Sequence, residues 1–184
     1  MPDYPKMVVR PPGPKARELV KRDSDAISPS YTRYYPLVVD SGHDCIVKDV
    51  DGNEYIDYLL GSGPHILGHA HPAVLEALRT VPESGTSHLI VNEHAVRLGQ
   101  KIIEHVPCAE MVSLHSSGSE ATFFAMRLAR VYRKRDKILK FEGAYHGMND
   151  YAMMSNQWTM GSPAFPKAVP NTHGIPRSVT EEVL

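Results

Sequence analysis

The spacing of apolar positions predicts short strands early in the chain, then helices joined to single strands. Residues 1–14 carry proline at 2, 5, 11, 12 and 14 and predict an extended arm, because proline denies the backbone its helical hydrogen bonds. A short helix is expected over 15–25, where Ala16, Leu19 and Val20 share one side. Three short strands are expected over 37–40, 45–49 and 55–60, turned at Ser41-Gly42 and at Asp51-Gly52-Asn53, which makes a small antiparallel meander. Pro72 opens a helix whose apolar face is Val74, Leu75 and Leu78. A longer helix over 92–106 lines up Ala95, Leu98, Ile102 and Val106 and ends at Pro107. Val112 and Leu114 alternate with Ser113 and His115 as in a strand; then Ala121, Phe124, Ala125, Leu128 and Ala129 fall at helical spacing. A second buried-type strand is expected over 137–141. Beyond Met148 the pattern loosens, with prolines at 163, 166, 170 and 176, until a further strand begins at 181–184.

Strand, tight turn, helix at 112–132 is the α/β unit around which chemistry is expected. The turn Ser116-Ser117-Gly118-Ser119-Glu120-Ala121 presents the unpaired N–H groups and the positive dipole end of a helix, with serine hydroxyls beside them. A phosphate suits that point; an ordinary serine N-cap with no ligand explains the same residues. Tyr145 and His146, flanked by Gly143 and Gly147 at the end of the 137–141 strand, stand where open α/β sheets place ligand contacts. Arg33 suits a carboxylate or simply the surface. The loop 61–72 is rich in glycine and histidine. His65, His69 and His71 match no standard metal spacing, and no cysteine or carboxylate joins them in sequence, so no metal is expected.

Composition changes this picture only by exclusion. At 184 residues, 42% hydrophobic, 22% charged and net charge -1, the chain has ordinary globular composition and no basic run for nucleic acid. No apolar run is long enough to cross a bilayer. Two cysteines, Cys45 and Cys108, imply no disulfide framework, and a cytoplasmic setting is expected.

Several blocks in order resemble the class III aminotransferases that use pyridoxal phosphate: 49–57 (DVDGNEYID), 67–72 (LGHAHP), 117–121 (SGSEA), 127–130 (RLAR) and 141–147 (FEGAYHG). The resemblance runs from about Ser28 to the end and is nearest to the glutamate-1-semialdehyde aminomutase and ornithine or 4-aminobutyrate aminotransferase branches. It implies an α/β fold of the aspartate aminotransferase type (fold type I), represented here in part. Residues 1–66 would be the N-terminal arm and small-domain meander, and 67–184 the first part of the large mixed-sheet domain.

It further implies that Ser117, Gly118 and Ser119 hold the cofactor phosphate, that Tyr145 stacks on the pyridine ring with His146 as its neighbour, and that Ser62 and Gly63 line the substrate side. Arg33 is the expected carboxylate contact. Where the aminomutase branch commonly has tryptophan, this chain has Ser62; the family phosphate loop often opens with Asn and has Thr fourth, where Ser116 and Ser119 stand. The lysine that forms the Schiff base lies later in the family's chain, and Lys137, Lys140 and Lys167 match neither its position nor its context. The resemblance therefore implies an N-terminal portion, inactive by itself, of an enzyme using a small-molecule amino donor and a keto or aldehyde acceptor, and typically a homodimer. An intramolecular aminomutase, or a non-catalytic phosphate-binding α/β module, is the alternative expectation.

Overall fold

Asp49, Asp51 and Asn53 organise the first third of the chain. In the computed structural model, which describes residues 4–29, 35–156 and 167–184, β1 (Val39–His43), β2 (Ile46–Asp49) and β3 (Glu54–Ile56) form an antiparallel sheet in that order. Val47 pairs with Gly42 on one side and with Tyr55 on the other. The Asp49 carboxylate turns β2 into β3: it accepts from the N–H groups of Asp51 (3.0 Å) and Asn53 (2.8 Å), the Asn53 amide (2.8 Å) and the Tyr55 hydroxyl (2.8 Å). Asn53, fully buried, then accepts through Oδ1 from Val8 (2.7 Å) and Val9 (2.9 Å), which fastens the proline-rich arm along the hairpin.

Asp51 reaches the next element. Helix α1 (Pro14–Ala26) has no capping side chain of its own at Gly13; the Asp51 carboxylate, distant in sequence, accepts from Lys15 (3.0 Å) and Ala16 (2.9 Å) instead. A Cβ on Gly13 would stand 2.3 Å from Asp51 Cγ, so only glycine lets the carboxylate reach the helix end.

Burial pushes the Asp49 carboxyl up, but its hydrogen bonds outweigh that and hold it below its ordinary 3.8. Burial and the neighbouring Asp49 charge push the Tyr55 hydroxyl from 10.0 up to about 12. The two shifts bound a stability window. Asp49, depressed in the folded chain, stabilises fully above 3.8, and the gain is lost as pH falls below that value; Tyr55, raised, stabilises fully below 10.0, and the gain is lost as pH rises through about 12. Tyr55→Phe is expected to lose about 1–2 kcal/mol at neutral pH and to flatten the alkaline limb between 10.0 and 12. Melting temperatures across that range test this; an alkaline limb as steep as in the parent chain would contradict it.

The chain forms two compact units, Met1–His88 and Leu89–Leu184. The first also carries α2 (Pro72–Thr80), entered as expected at Pro72. The second carries α3 (Glu93–His105), capped by Asn92 Oδ1 on the Ala95 N–H (3.0 Å), then α4 (Gly118–Arg133) and a short α5 (Arg177–Thr180). The expected helices form with their expected starts.

The strands differ more. The first begins at Val39, and the third stops at Ile56 before a 3-10 turn over Leu60–Ser62. Residues 112–115 join no ladder among the described residues, and 137–141 reduces to a parallel bridge between Ile138 and Val183. Alternation shows that a segment suits a sheet; a strand exists only where a partner offers its hydrogen bonds. Ile138 and Lys140 find theirs at 182–184. Leu139 and Phe141, on the other face of that segment, stay 82% and 84% exposed.

Candidate functional site

Helix α4 begins at Ser117. Its Oγ accepts from the Glu120 N–H (3.2 Å), and the Glu120 carboxylate turns back to the Ser116 N–H (2.9 Å), a reciprocal cap. The N–H groups of Gly118 and Ser119 have no internal partner among the described residues, as the first turn of a helix requires. A Cβ on Gly118 would meet nothing within 4 Å outside its own helix and chain neighbours, so the side of the turn at Gly118 is open. Both Ser117 and Ser119 accept a backbone N–H through Oγ and keep their hydroxyl protons to donate elsewhere.

The segment after the Ile138 bridge packs on this turn. Met148 donates its N–H to Ser119 Oγ (2.9 Å). Thr122 Oγ1 donates to the His146 carbonyl (2.6 Å) and lies 3.1 Å from the Ser119 carbonyl. Gly147 is buried at φ +105°, and a Cβ there would come within 2.7 Å of Ser119 Cα. The chain at 146–148 thus rests on the helix start with no side chain between. Tyr145, next in line, is 63% exposed with its ring open to solvent. Ser117, Gly118, Ser119, Tyr145 and His146 are therefore gathered in one place. Thr122, Asn149 and the close approach at Gly147 also build it, and spacing gave no sign of them.

Just upstream, His115 stacks on Phe124 (4.8 Å between centroids, 23°) and its Nε2 lies 2.9 Å from Ser113 Oγ. That contact seats the 112–115 segment against α4.

Ser62 and Gly63 belong to the first unit. Leu60, Gly61, Ser62 and Gly63 have φ of +50°, +61°, +65° and +110°, a left-handed turn in which Leu60 and Ser62 each cost about 1–2 kcal/mol. Asp57 holds it. One carboxylate oxygen accepts from the N–H groups of Leu59 (2.8 Å) and Leu60 (3.0 Å), and the other lies 2.7 Å from His69 Nε2. The bond from His69 is the main cause that depresses the Asp57 carboxyl below 3.8. A carboxylate thus does join the histidine loop, which the sequence order concealed. It serves a hydrogen-bonded pair, and no cluster of metal-binding side chains occurs among the described residues. Arg33 lies outside the described residues.

The family model for aminotransferase class III matches residues 27–183. The chain belongs to the class III aminotransferases. Among curated relatives, the glutamate-1-semialdehyde 2,1-aminomutase of Methanococcus maripaludis is 44% identical over 150 residues, which is 82% of this chain and 34% of that protein. The enzyme of the same name from Methanothermobacter thermautotrophicus is 42% identical over 176 residues, 92% of this chain and 40% of that one. Among solved structures, an omega-transaminase from Sphaerobacter thermophilus superposes with a TM-score of 0.87 at 33% identity, covering 95% of this chain and 42% of its own. A transaminase with bound PLP gives 0.82 at 34% identity, covering 92% and 40%.

This class III aminotransferase chain therefore has the fold of the pyridoxal-phosphate-dependent transaminases, over about a third to two-fifths of the length of the relatives it matches. Class III aminotransferases use pyridoxal phosphate. The α4 turn fits that group: it offers backbone and hydroxyl donors at a helix start, a Cβ on Gly118 would meet nothing within 4 Å, and its one carboxylate, Glu120, is held by the Ser116 N–H. No helix among the described residues is long and apolar enough to cross a membrane.

Proposed function

We propose that this chain is the N-terminal part of a pyridoxal-phosphate-dependent aminotransferase that moves an amino group between an amino acid or amine and a keto acid or aldehyde. The donor-rich first turn of α4, with the 146–148 segment packed on it, carries the proposal. When bound, pyridoxal phosphate supplies an aldehyde that condenses with amines and a ring that draws electrons from the substrate carbon. The Gly118 and Ser119 N–H groups and the Ser117 and Ser119 hydroxyls would bind the phosphate, and the α4 dipole would favour its charge. Tyr145 would lie against the ring, with His146 fixing the loop through its carbonyl. Ser62, Gly63 and Arg33 would face the substrate.

No residue here is assigned as catalytic. The Lys140 ammonium is taken up by three oxygens, and Lys137 and Lys167 match neither the position nor the context of the family's Schiff-base lysine. Residues 1–66 are proposed as the arm and small-domain meander, and 67–184 as the first part of the large domain, of a cytoplasmic homodimer. The activity of the curated relatives favours a second reading, a glutamate-1-semialdehyde aminomutase. Ser62, where that branch commonly has tryptophan, counts against it.

An absorbance titration of the purified chain with pyridoxal phosphate tests the proposal. Saturable binding without an aldimine band is expected, weakened about tenfold by Ser119→Ala, the equivalent of one hydrogen bond to a charged group. An aldimine band that survives dialysis and disappears with borohydride would instead make one of these lysines catalytic. Absence of binding would remove the phosphate role from the α4 turn.

A further inference from the structure

Lys140 is a part-buried charged side chain to which the proposed function gives no task. Its position is unusual. It lies on the bridged segment at 138–140, where its own N–H donates to the Leu184 carbonyl (3.0 Å), and its side chain turns inward. Nζ donates to the carbonyls of Ala152 (3.0 Å) and Met154 and to Asn156 Oδ1 (2.6 Å), so its three protons meet three oxygens. Ala152 and Met154, whose carbonyls it takes, are fully buried, part of the small core of this unit.

The other edge of the same segment is already paired. Asn171 donates its N–H to the Met153 carbonyl (3.0 Å), and Ser155 donates to Val169 (2.7 Å), around the bridge between Met154 and Pro170. Lys140 therefore supplies donors to carbonyls on the side of Met154 away from Pro170. One side chain takes up the carbonyls of Ala152 and Met154.

What Lys140 holds in turn holds the α4 turn. Asn149 begins the 149–156 segment: its Oδ1 accepts from the Ala152 N–H (3.0 Å), and its carbonyl accepts from Ala152 and Met153 (2.9 Å each). Asn149 Nδ2 faces the Ser119 carbonyl (3.4 Å) and Thr122 Oγ1 (3.5 Å), and the adjoining Met148 N–H reaches Ser119 Oγ. The Gly143 N–H, at the head of the same loop, donates to the Ser155 carbonyl (2.7 Å). Both ends of the 143–149 loop are thus fixed to the segment that Lys140 clasps.

We propose that Lys140 is a positioning residue: by clasping Ala152, Met154 and Asn156 it sets the 143–149 loop against Ser119 and so holds the phosphate-binding turn in register. This rests on the phosphate role proposed for Ser117–Ser119. The clasp needs a long stem and several donors, so Lys140→Met should break it and Lys140→Arg should largely keep it.

The experiment compares the 184-residue chain with Lys140→Met, Lys140→Arg, Asn149→Ala and the Lys140→Met, Asn149→Ala double variant. Each is titrated with pyridoxal phosphate and with pyridoxal; the dissociation constant for pyridoxal divided by that for pyridoxal phosphate isolates the phosphate group. Lys140→Met should lower that ratio about tenfold at a temperature where its circular dichroism matches the parent, and amide exchange over 143–149 should quicken. Lys140→Arg should restore the ratio, and the double variant should lose no more than the worse single one, since both act through one link.

An unchanged ratio in Lys140→Met, with Ser119→Ala still weakened, would overturn the positioning role and leave the phosphate site standing. Loss of folded signal in Lys140→Met, together with an unchanged ratio in Asn149→Ala, would reduce Lys140 to a structural residue and overturn it likewise. A parent chain that fails to prefer pyridoxal phosphate over pyridoxal would remove the phosphate role itself and this inference with it.

Discussion

Gly147→Ala should cost the second unit about 2–3 kcal/mol and bring pyridoxal phosphate binding below detection. Two effects add. At φ +105° an L side chain is strained wherever it points, and here the new Cβ points into backbone, 2.7 Å from Ser119 Cα and 2.9 Å from its Oγ. A flexible side chain could swing away from such an approach; the Cα of a helix's first turn cannot, short of moving the helix start or the loop. Either movement separates the Met148 N–H from Ser119 Oγ and the His146 carbonyl from Thr122. Stability and binding therefore fail together. Urea unfolding with an equilibrium binding assay measures both; a variant within about 0.5 kcal/mol of the parent that binds normally would show that the close approach is not needed.

Asn53→Ala should be the most damaging single change in the first unit, at about 2–4 kcal/mol. The fully buried amide makes three side-chain bonds, two accepted from Val8 and Val9 and one donated to Asp49. Water can replace it at the partly exposed arm. It cannot readily do so at Asp49, a buried carboxylate that would lose one of its four donors. Asn53→Asp should be worse at neutral pH, since it sets a second carboxylate beside the first, and should recover in part in mild acid. Denaturant unfolding measures the loss, and earlier proteolytic cleavage within 4–12 should accompany it as the arm comes free. A loss under 1 kcal/mol would mean that the arm, and not the amide, satisfies the turn.

Local signals carried most of what the sequence disclosed. Pro72, Asn92 and Ser117 each announce a helix start within one turn of chain, and each starts one. Asp51-Gly52-Asn53 announces the hairpin. The first turn of α4, proposed to bind phosphate, was legible as a turn for the same reason: Ser117, Gly118 and Ser119 are consecutive. What stayed hidden was made by pairs remote in sequence, such as Gly147 on Ser119, Thr122 on His146, Asp57 on His69 and Lys140 under Ala152. No periodicity encodes those meetings. The strand expected at 112–115 shows the converse case, since its alternation is sound yet a ladder needs a second chain segment that a pattern does not contain.

The Ile138 to Val183 bridge bears on how such a chain is made. The meander of β1, β2 and β3 lies within 39–56, so each strand meets its partner almost as soon as it leaves the ribosome. Ile138 donates its N–H to Glu182, which is synthesised 44 residues later. At about 5–20 residues per second, translation takes roughly 2–9 s to cover that interval. Through that time the N–H groups of Ile138 and Lys140 wait without the carbonyls of Glu182 and Leu184, an unpaired edge of the kind that holding chaperones shield. Slowed elongation between the codons for residues 141 and 182 should lengthen that wait and raise the share of nascent chains that a chaperone captures.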